Sequence, residues 1–140
     1  MKVNGKVVVV TGAGSGMGRE LTLELIKRGA LVAAVDMRAE TLEETKQLAL
    51  AAGGKVETFI LDVSHDAKVN ALPAQVEAKL GAADALINNA GVIPRIGPLD
   101  QCPPEDLANA LRVGLEAPMQ LTAAFLAATG AWVDAGWRGP

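Results

Sequence analysis

Residues Val7–Gly18 read VVVVTGAGSGMG, four β-branched residues running straight into a loop in which every second position is Gly. A Val run bounded by Gly is the pattern of a strand buried on both faces, the usual state of a central parallel strand. Beyond it Met17, Leu21 and Leu25 recur at helical spacing, with Ile26 beside Leu25, so a helix over Met17 to Arg28 can lay one stripe on that strand. The turn between them points free backbone N–H groups and the positive end of a helix dipole at one place, which suits a phosphate. Spacing narrows the kind of loop. Met17 stands where G-x-G-x-x-G counted from Gly12 wants its third Gly, and no Gly-Lys pair closes the loop as the Walker A pattern requires. T-G-x-x-x-G-x-G does fit, on Thr11, Gly12, Gly16 and Gly18. Taken alone, these glycines also suit a tight strand-to-helix turn that needs φ > 0 and binds nothing.

The rest of the chain repeats the alternation. Gly29 can end the first helix, and Ala30 to Val35 is a second apolar strand closing with Asp36. Glu40 to Ala52 carries Leu42, Thr45, Leu48, Ala49 and Ala52 at helical spacing until Gly53-Gly54 stops it. Val56 to Leu61 is a third strand ending in Asp62. Ser64 is placed to cap a helix running to about Leu80, with Asp66 in its first turn and Gly81 past its end. Asp84 to Asn88 is a fourth strand leading into Asn88-Asn89-Ala90-Gly91. Pro104 can open a last helix toward Thr129, in which the interior Pro118 predicts a kink or fraying.

Bulk properties exclude several classes. The 140 residues suit one domain, 1–140, and 50% hydrophobic content argues against disorder. A net charge of −3 offers no basic stripe for nucleic acid or anionic membrane. No apolar run is long enough to span a membrane, and the four Val after MKVNGK are too few for a signal-peptide core, so a cytoplasmic protein is expected. The single Cys102 excludes an internal disulfide, fits a reducing compartment and has no companion ligands for a metal. His65 reads as a surface residue of a helix first turn, and Arg95 and Arg112 as solvated cations or contacts to phosphate or substrate.

Strands and helices in alternation with short connections imply parallel β-α-β units, an α/β doubly wound sheet. Ligands of such sheets sit beyond the carboxyl ends of the strands, where strand order reverses. The glycine loop, Asp36, Asp62 and Asn88 to Gly91 all fall at such ends. Asp36 stands 24 positions past Gly12, at the tip of strand two, where a carboxylate can accept bonds from both hydroxyls of an adenosine ribose. A 2′-phosphate there would meet a like charge, at a cost of about several kcal/mol for a separation of roughly 4 Å. NAD is therefore expected over NADP, with Arg38 the one basic group close enough to soften the preference.

With these residues in hand, the chain resembles the amino-terminal part of a short-chain dehydrogenase/reductase. TGAGSGMG matches the family's TGxxxGxG loop, Asp36 its NAD-selecting acid, Asp62-Val63 its adenine-contacting dipeptide and Asn88-Asn89-Ala90-Gly91 its NNAG motif, in the family's order. The resemblance implies a Rossmann-type sheet of strand order 3-2-1-4 and hydride transfer between a nicotinamide cofactor and an alcohol or carbonyl. It also implies pyrophosphate on the loop backbone through Ser15, Gly16 and Met17, with Gly12 and Gly18 of the motif also among the cofactor-binding residues, adenine flanked by Asp62 and Val63, and Asn89, Ala90 and Gly91 along the adenosine side.

The family's proton chemistry resembles acid catalysis by a Tyr assisted by a Lys four residues on, with a Ser and an Asn nearby. This chain has no Tyr, and Gly114 stands where the family has its Asn. The expectation is a cofactor-binding half without catalytic residues, inactive alone, from a truncated or frame-shifted relative. The Trp-rich stretch from Gly130 to Trp137 reads equally as a short variant fifth strand. A non-catalytic nucleotide-binding or interaction module is the alternative function. An open edge at strand four, with unpartnered apolar residues on the last helix, predicts self-association.

Overall fold

The computed structural model of the chain describes residues 2–95 and 97–130. Four strands, β1 (Val7–Thr11), β2 (Leu31–Asp36), β3 (Lys55–Ile60) and β4 (Ala85–Ile87), form one sheet in the order β3-β2-β1-β4, with every pairing parallel. Three helices connect them: α1 (Gly16–Lys27), α2 (Ala39–Ala51) and α3 (Asp66–Leu80). After β4 come α4 (Pro104–Leu111) and α5 (Ala117–Thr129). This is the Rossmann-type sheet expected, in the expected strand order.

The pleat of the two central strands sorts the helices into layers. Val8 and Val10 of β1, with Val32 and Ala34 of β2, face one way and pack with Ile26, Leu42 and Ala49 of α1 and α2. Val7 and Val9, with Ala33 and Val35, face the other and meet Val69, Leu72 and Val76 of α3 and Leu121 and Phe125 of α5. Because every β1 residue is buried, a continuous Val run serves where an alternating one would expose half its side chains.

Two sequence expectations about helices need correction. The buried stripe of α1 is Gly18, Thr22 and Ile26, whereas Met17 and Leu21 are exposed and Leu25 is half-buried. At the loop end of that face Gly18 lets the helix approach the glycine loop closely, which a Leu would prevent, and Ile26 supplies the apolar contact further along. In α2, likewise, Leu42, Thr45 and Ala49 are buried but Leu48 and Ala52 are not. The second correction concerns the start of α3, whose cap is His65 and not Ser64. The Ser64 hydroxyl and N–H both donate to Asp62 Oδ1, at 2.8 and 2.9 Å, so Ser64 belongs to the turn before the helix.

The last helix is interrupted near Pro118, as expected, but by widening. A π turn over Arg112–Glu116 joins α4 to α5, and the Ala117 N–H reaches back to the Arg112 carbonyl. Pro118 has no N–H to give to Gly114, and its ring crowds a carbonyl four residues back in a regular helix. The wider turn just ahead relieves both. Of the fifth-strand stretch only Gly130, with φ +63 at the end of α5, lies inside the described residues. Among the described residues no helix is long and apolar enough to cross a membrane.

Candidate functional site

The carboxyl ends of β1, β2, β3 and β4 open into a cleft of about 330 Å³. Gly12, Ser15 and Met17 of the loop line it, as do Asp36, Asp62 and Val63 at the ends of β2 and β3, and Asn89, Ala90 and Gly91 after β4. Of the residues singled out for it in the sequence, Gly16, Gly18 and Asn88 do not line it, and Asn88 Nδ2 donates instead to Thr122 Oγ1 at 3.3 Å. Gly18 serves the packing of the helix instead. A Cβ there would run into the Gly12 carbonyl oxygen, so its lack of a side chain sets how closely α1 packs under the loop. Gly12 needs to be Gly twice over, with φ +69 and with Asn89 Nδ2 at 2.9 Å from where a Cβ would stand.

The loop divides into a committed part and an open part. The Ala13 N–H donates to the Val35 carbonyl at 3.0 Å and the Gly14 N–H to Asp36 Oδ2 at 2.9 Å. From Ser15 to Gly18 the backbone N–H groups have no protein partner among the described residues, as the first turn of a helix dictates. They stand at the positive end of α1, with no acidic side chain in its first turn to compensate them.

Asp36 is 8% exposed, and its carboxylate is on the loop side of the sheet. Oδ2 holds Gly14, while Oδ1 accepts the Arg38 N–H at 3.0 Å and lies 3.9 Å from Arg38 Nε. Arg38 reaches across the cleft mouth to donate to Ser15 Oγ at 2.8 Å. Asp36 is thus a tether of the loop as well as an acid beside the cleft. Asp62, past the end of neighbouring β3, is held below the ordinary carboxylate range, first by the Ser64 N–H, then by the Ser64 hydroxyl, with His65 and Lys68 adding a smaller pull and burial opposing.

Asn89 is tied more firmly than its place in a motif indicates. Its Nδ2 donates to the Thr11 carbonyl at 2.9 Å, and its backbone N–H and that of Ala90 both donate to Thr11 Oγ1 at 3.0 Å. The Thr11 hydroxyl in turn donates to the Ile87 carbonyl at 3.3 Å, so one side chain fastens the end of β1 to the end of β4. In the sequence Thr11 is only a letter of the loop pattern. Arg19 and Thr45, which brace the loop from behind, belong to no motif, although a Thr in the buried stripe of α2 is a legible signal for a hydrogen bond. Met37, Val92 and Val113 add apolar lining that no motif marks. Of the other residues weighed, His65 is exposed, Cys102 is a half-buried free thiol, and Arg95 pairs with Asp106 at 2.8 Å. Among the described residues no group of three His, Cys, Asp or Glu could hold a metal.

A family model described as short chain dehydrogenase matches residues 6–132. Epidermal retinol dehydrogenase 2 of Mus musculus is 37% identical over 127 residues, which are 90% of this chain and 41% of that protein. An uncharacterized oxidoreductase of Thermotoga maritima is 36% identical over 122 residues, 87% of this chain and 47% of its own length. Among solved structures, a metagenomic short-chain oxidoreductase in complex with NADP superimposes with a TM-score of 0.85 at 36% identity, over 94% of this chain and 59% of that one. NAD+-bound xylitol dehydrogenase gives 0.85 at 30% identity, over 89% and 48%. The chain spans about half the length of the curated relatives it matches. Sheet order, glycine loop and a family match over residues 6–132 agree: the chain belongs to the short-chain dehydrogenase family.

Proposed function

We propose that residues 1–140 act as one nucleotide-binding domain that takes NAD. The observation that carries this reading is the pair of unpartnered N–H groups on Ser15 and Met17, residues that line the same mouth as the buried Asp36 carboxylate. The loop backbone at Ser15, Gly16 and Met17 would take the pyrophosphate, with Gly12 and Gly18 shaping the loop that holds it, and Asp36 would take the adenosine ribose. Asp62 and Val63 would flank the adenine, with Asn89, Ala90 and Gly91 along the adenosine. For Asn89 that contact falls to its backbone and Oδ1, since Nδ2 is already engaged. Solved relatives include one in complex with NADP and one bound to NAD+, and the choice of NAD rests on the Asp36 charge. A 2′-phosphate beside it would be repelled, and Arg38 neutralises that only in part because more than half of its side chain is in solvent.

Hydride transfer between an alcohol or carbonyl and the bound nicotinamide is the activity this reading attaches to the family. Without a Tyr, the chain contributes the cofactor side and not the proton transfer, so little turnover is expected from it alone. The same composition favours the second reading, a nucleotide-binding or interaction module without catalysis. A cytoplasmic setting fits the one unpaired Cys102. Self-association follows from β4, an edge among the described residues, and from the exposed Leu115 and Met119.

Calorimetric titration with NAD, NADP and AMP tests the nucleotide reading. NAD should bind more tightly than NADP, and Asp36→Ala should abolish most of that affinity. No binding of any of the three at millimolar concentration would reduce the site to a structural remnant.

A further inference from the structure

The carbonyl side of the loop is held as firmly as its N–H side is open. Arg19 Nη2 donates to the Gly14 carbonyl at 2.6 Å and to the Thr41 carbonyl at 3.1 Å, and its Nε donates to Thr45 Oγ1 at 3.0 Å. The fully buried Thr45 has the Ala13 and Thr41 carbonyls within reach of its hydroxyl, at 3.0 and 3.1 Å. Arg19 does not line the cleft. Its contact with Glu44, at 2.7 Å, is an outer pair whose acid is 62% exposed.

A peptide unit is planar and trans, so the Gly14 carbonyl and the Ser15 N–H are opposite ends of one rigid plate. Fixing the carbonyl behind the loop fixes the direction of the N–H in front of it. We propose that Arg19 is a positioning residue for the phosphate cradle, pinning the Gly14 carbonyl to the start of α2 so that the Ser15 N–H is aimed into the cleft. Nη2 holds the two carbonyls while Nε, a separate nitrogen, holds the Thr45 hydroxyl; an ammonium keeps the charge but has one nitrogen and loses that fixed two-point geometry. The inference rests on the nucleotide reading for its ligand, and it adds a residue that the motif does not contain.

The test is an NMR titration of the wild type, Arg19→Lys, Arg19→Met and Glu44→Gln with ADP and, separately, with adenosine, the spectra reporting folding at the same time. Arg19→Lys should weaken ADP about tenfold while leaving adenosine within about twofold, because a charge-assisted hydrogen bond is lost and the net charge is not. Arg19→Met, which removes the charge as well, should weaken ADP at least as much. Glu44→Gln should change neither ligand. Unchanged ADP affinity in Arg19→Lys, an equal loss for adenosine, or an equal loss in Glu44→Gln would each overturn the proposal. In the wild type the Ser15 amide should shift on adding ADP, a measurement that needs no variant to fold, and a silent Ser15 amide would also overturn it. A wild type that binds neither ligand removes the nucleotide reading together with this one, whereas tight ADP binding with an indifferent Arg19→Lys removes this one alone.

Discussion

At the residue scale, single atoms decide how near the loop, α1 and the end of β4 can come. A Cβ at Gly18 collides with the Gly12 carbonyl, a backbone atom that cannot swing aside, so Gly18→Ala should cost about 1–3 kcal/mol in chemical denaturation. Thr11→Val removes the acceptor for the Asn89 and Ala90 N–H groups at nearly constant volume and should cost about 1–3 kcal/mol, with the loss concentrated at the cleft. Asp36 carries two jobs that one substitution can separate. In Asp36→Asn the amide oxygen can still accept the Gly14 N–H while the charge is gone, so NADP affinity relative to NAD should rise by about tenfold or more by calorimetry. Asp36→Ala, which also frees Gly14, should weaken both nucleotides.

At the scale of elements, β4 is a three-residue strand whose attachment depends on the turn before it. Asp84 accepts Lys6 Nζ at 2.7 Å and the Val7 N–H at 2.9 Å, fastening the start of β1 beside the start of β4. Lys6 first, and then the Val7 N–H, hold the Asp84 carboxyl below its ordinary range. A carboxylate lowered in the folded state adds stability above its unfolded pKa, and that stability disappears as pH falls through the folded value. Melting temperature should therefore drop as the pH falls below about 4, and Asp84→Asn should flatten that limb in thermal melts recorded by circular dichroism. Asp62 titrates in the same sense, so acid should also loosen the turn from β3 into α3. The elements themselves were largely legible because their boundaries rest on local chemistry: Gly29, Gly53 and Gly81 take the positive φ that ends each helix. The π turn was not legible, since Pro118 announces a defect without specifying whether the helix kinks, frays or widens.

At the scale of the whole molecule, the described sheet ends at β4, and Leu115 and Met119 on the outer side of the last helix are exposed. Sedimentation at micromolar concentration should show dimers or larger species whose population falls on dilution, and a clean monomer throughout would remove the self-association reading. The sequence by itself determined the alternation of strands and helices, the parallel sheet, and the gathering of the glycine loop, Asp36, Asp62 and Asn89 at one edge of it. Those follow from period, turn chemistry and the rule that consecutive parallel strands end on the same side. Only the tertiary structure decided which face of α1 is buried, that Asp36 tethers Gly14, that Asn89 spends its amide on β1, and that Arg19 braces the loop from behind. Each of these depends on distances between residues far apart in the chain, and close packing fixes such distances where pattern alone cannot.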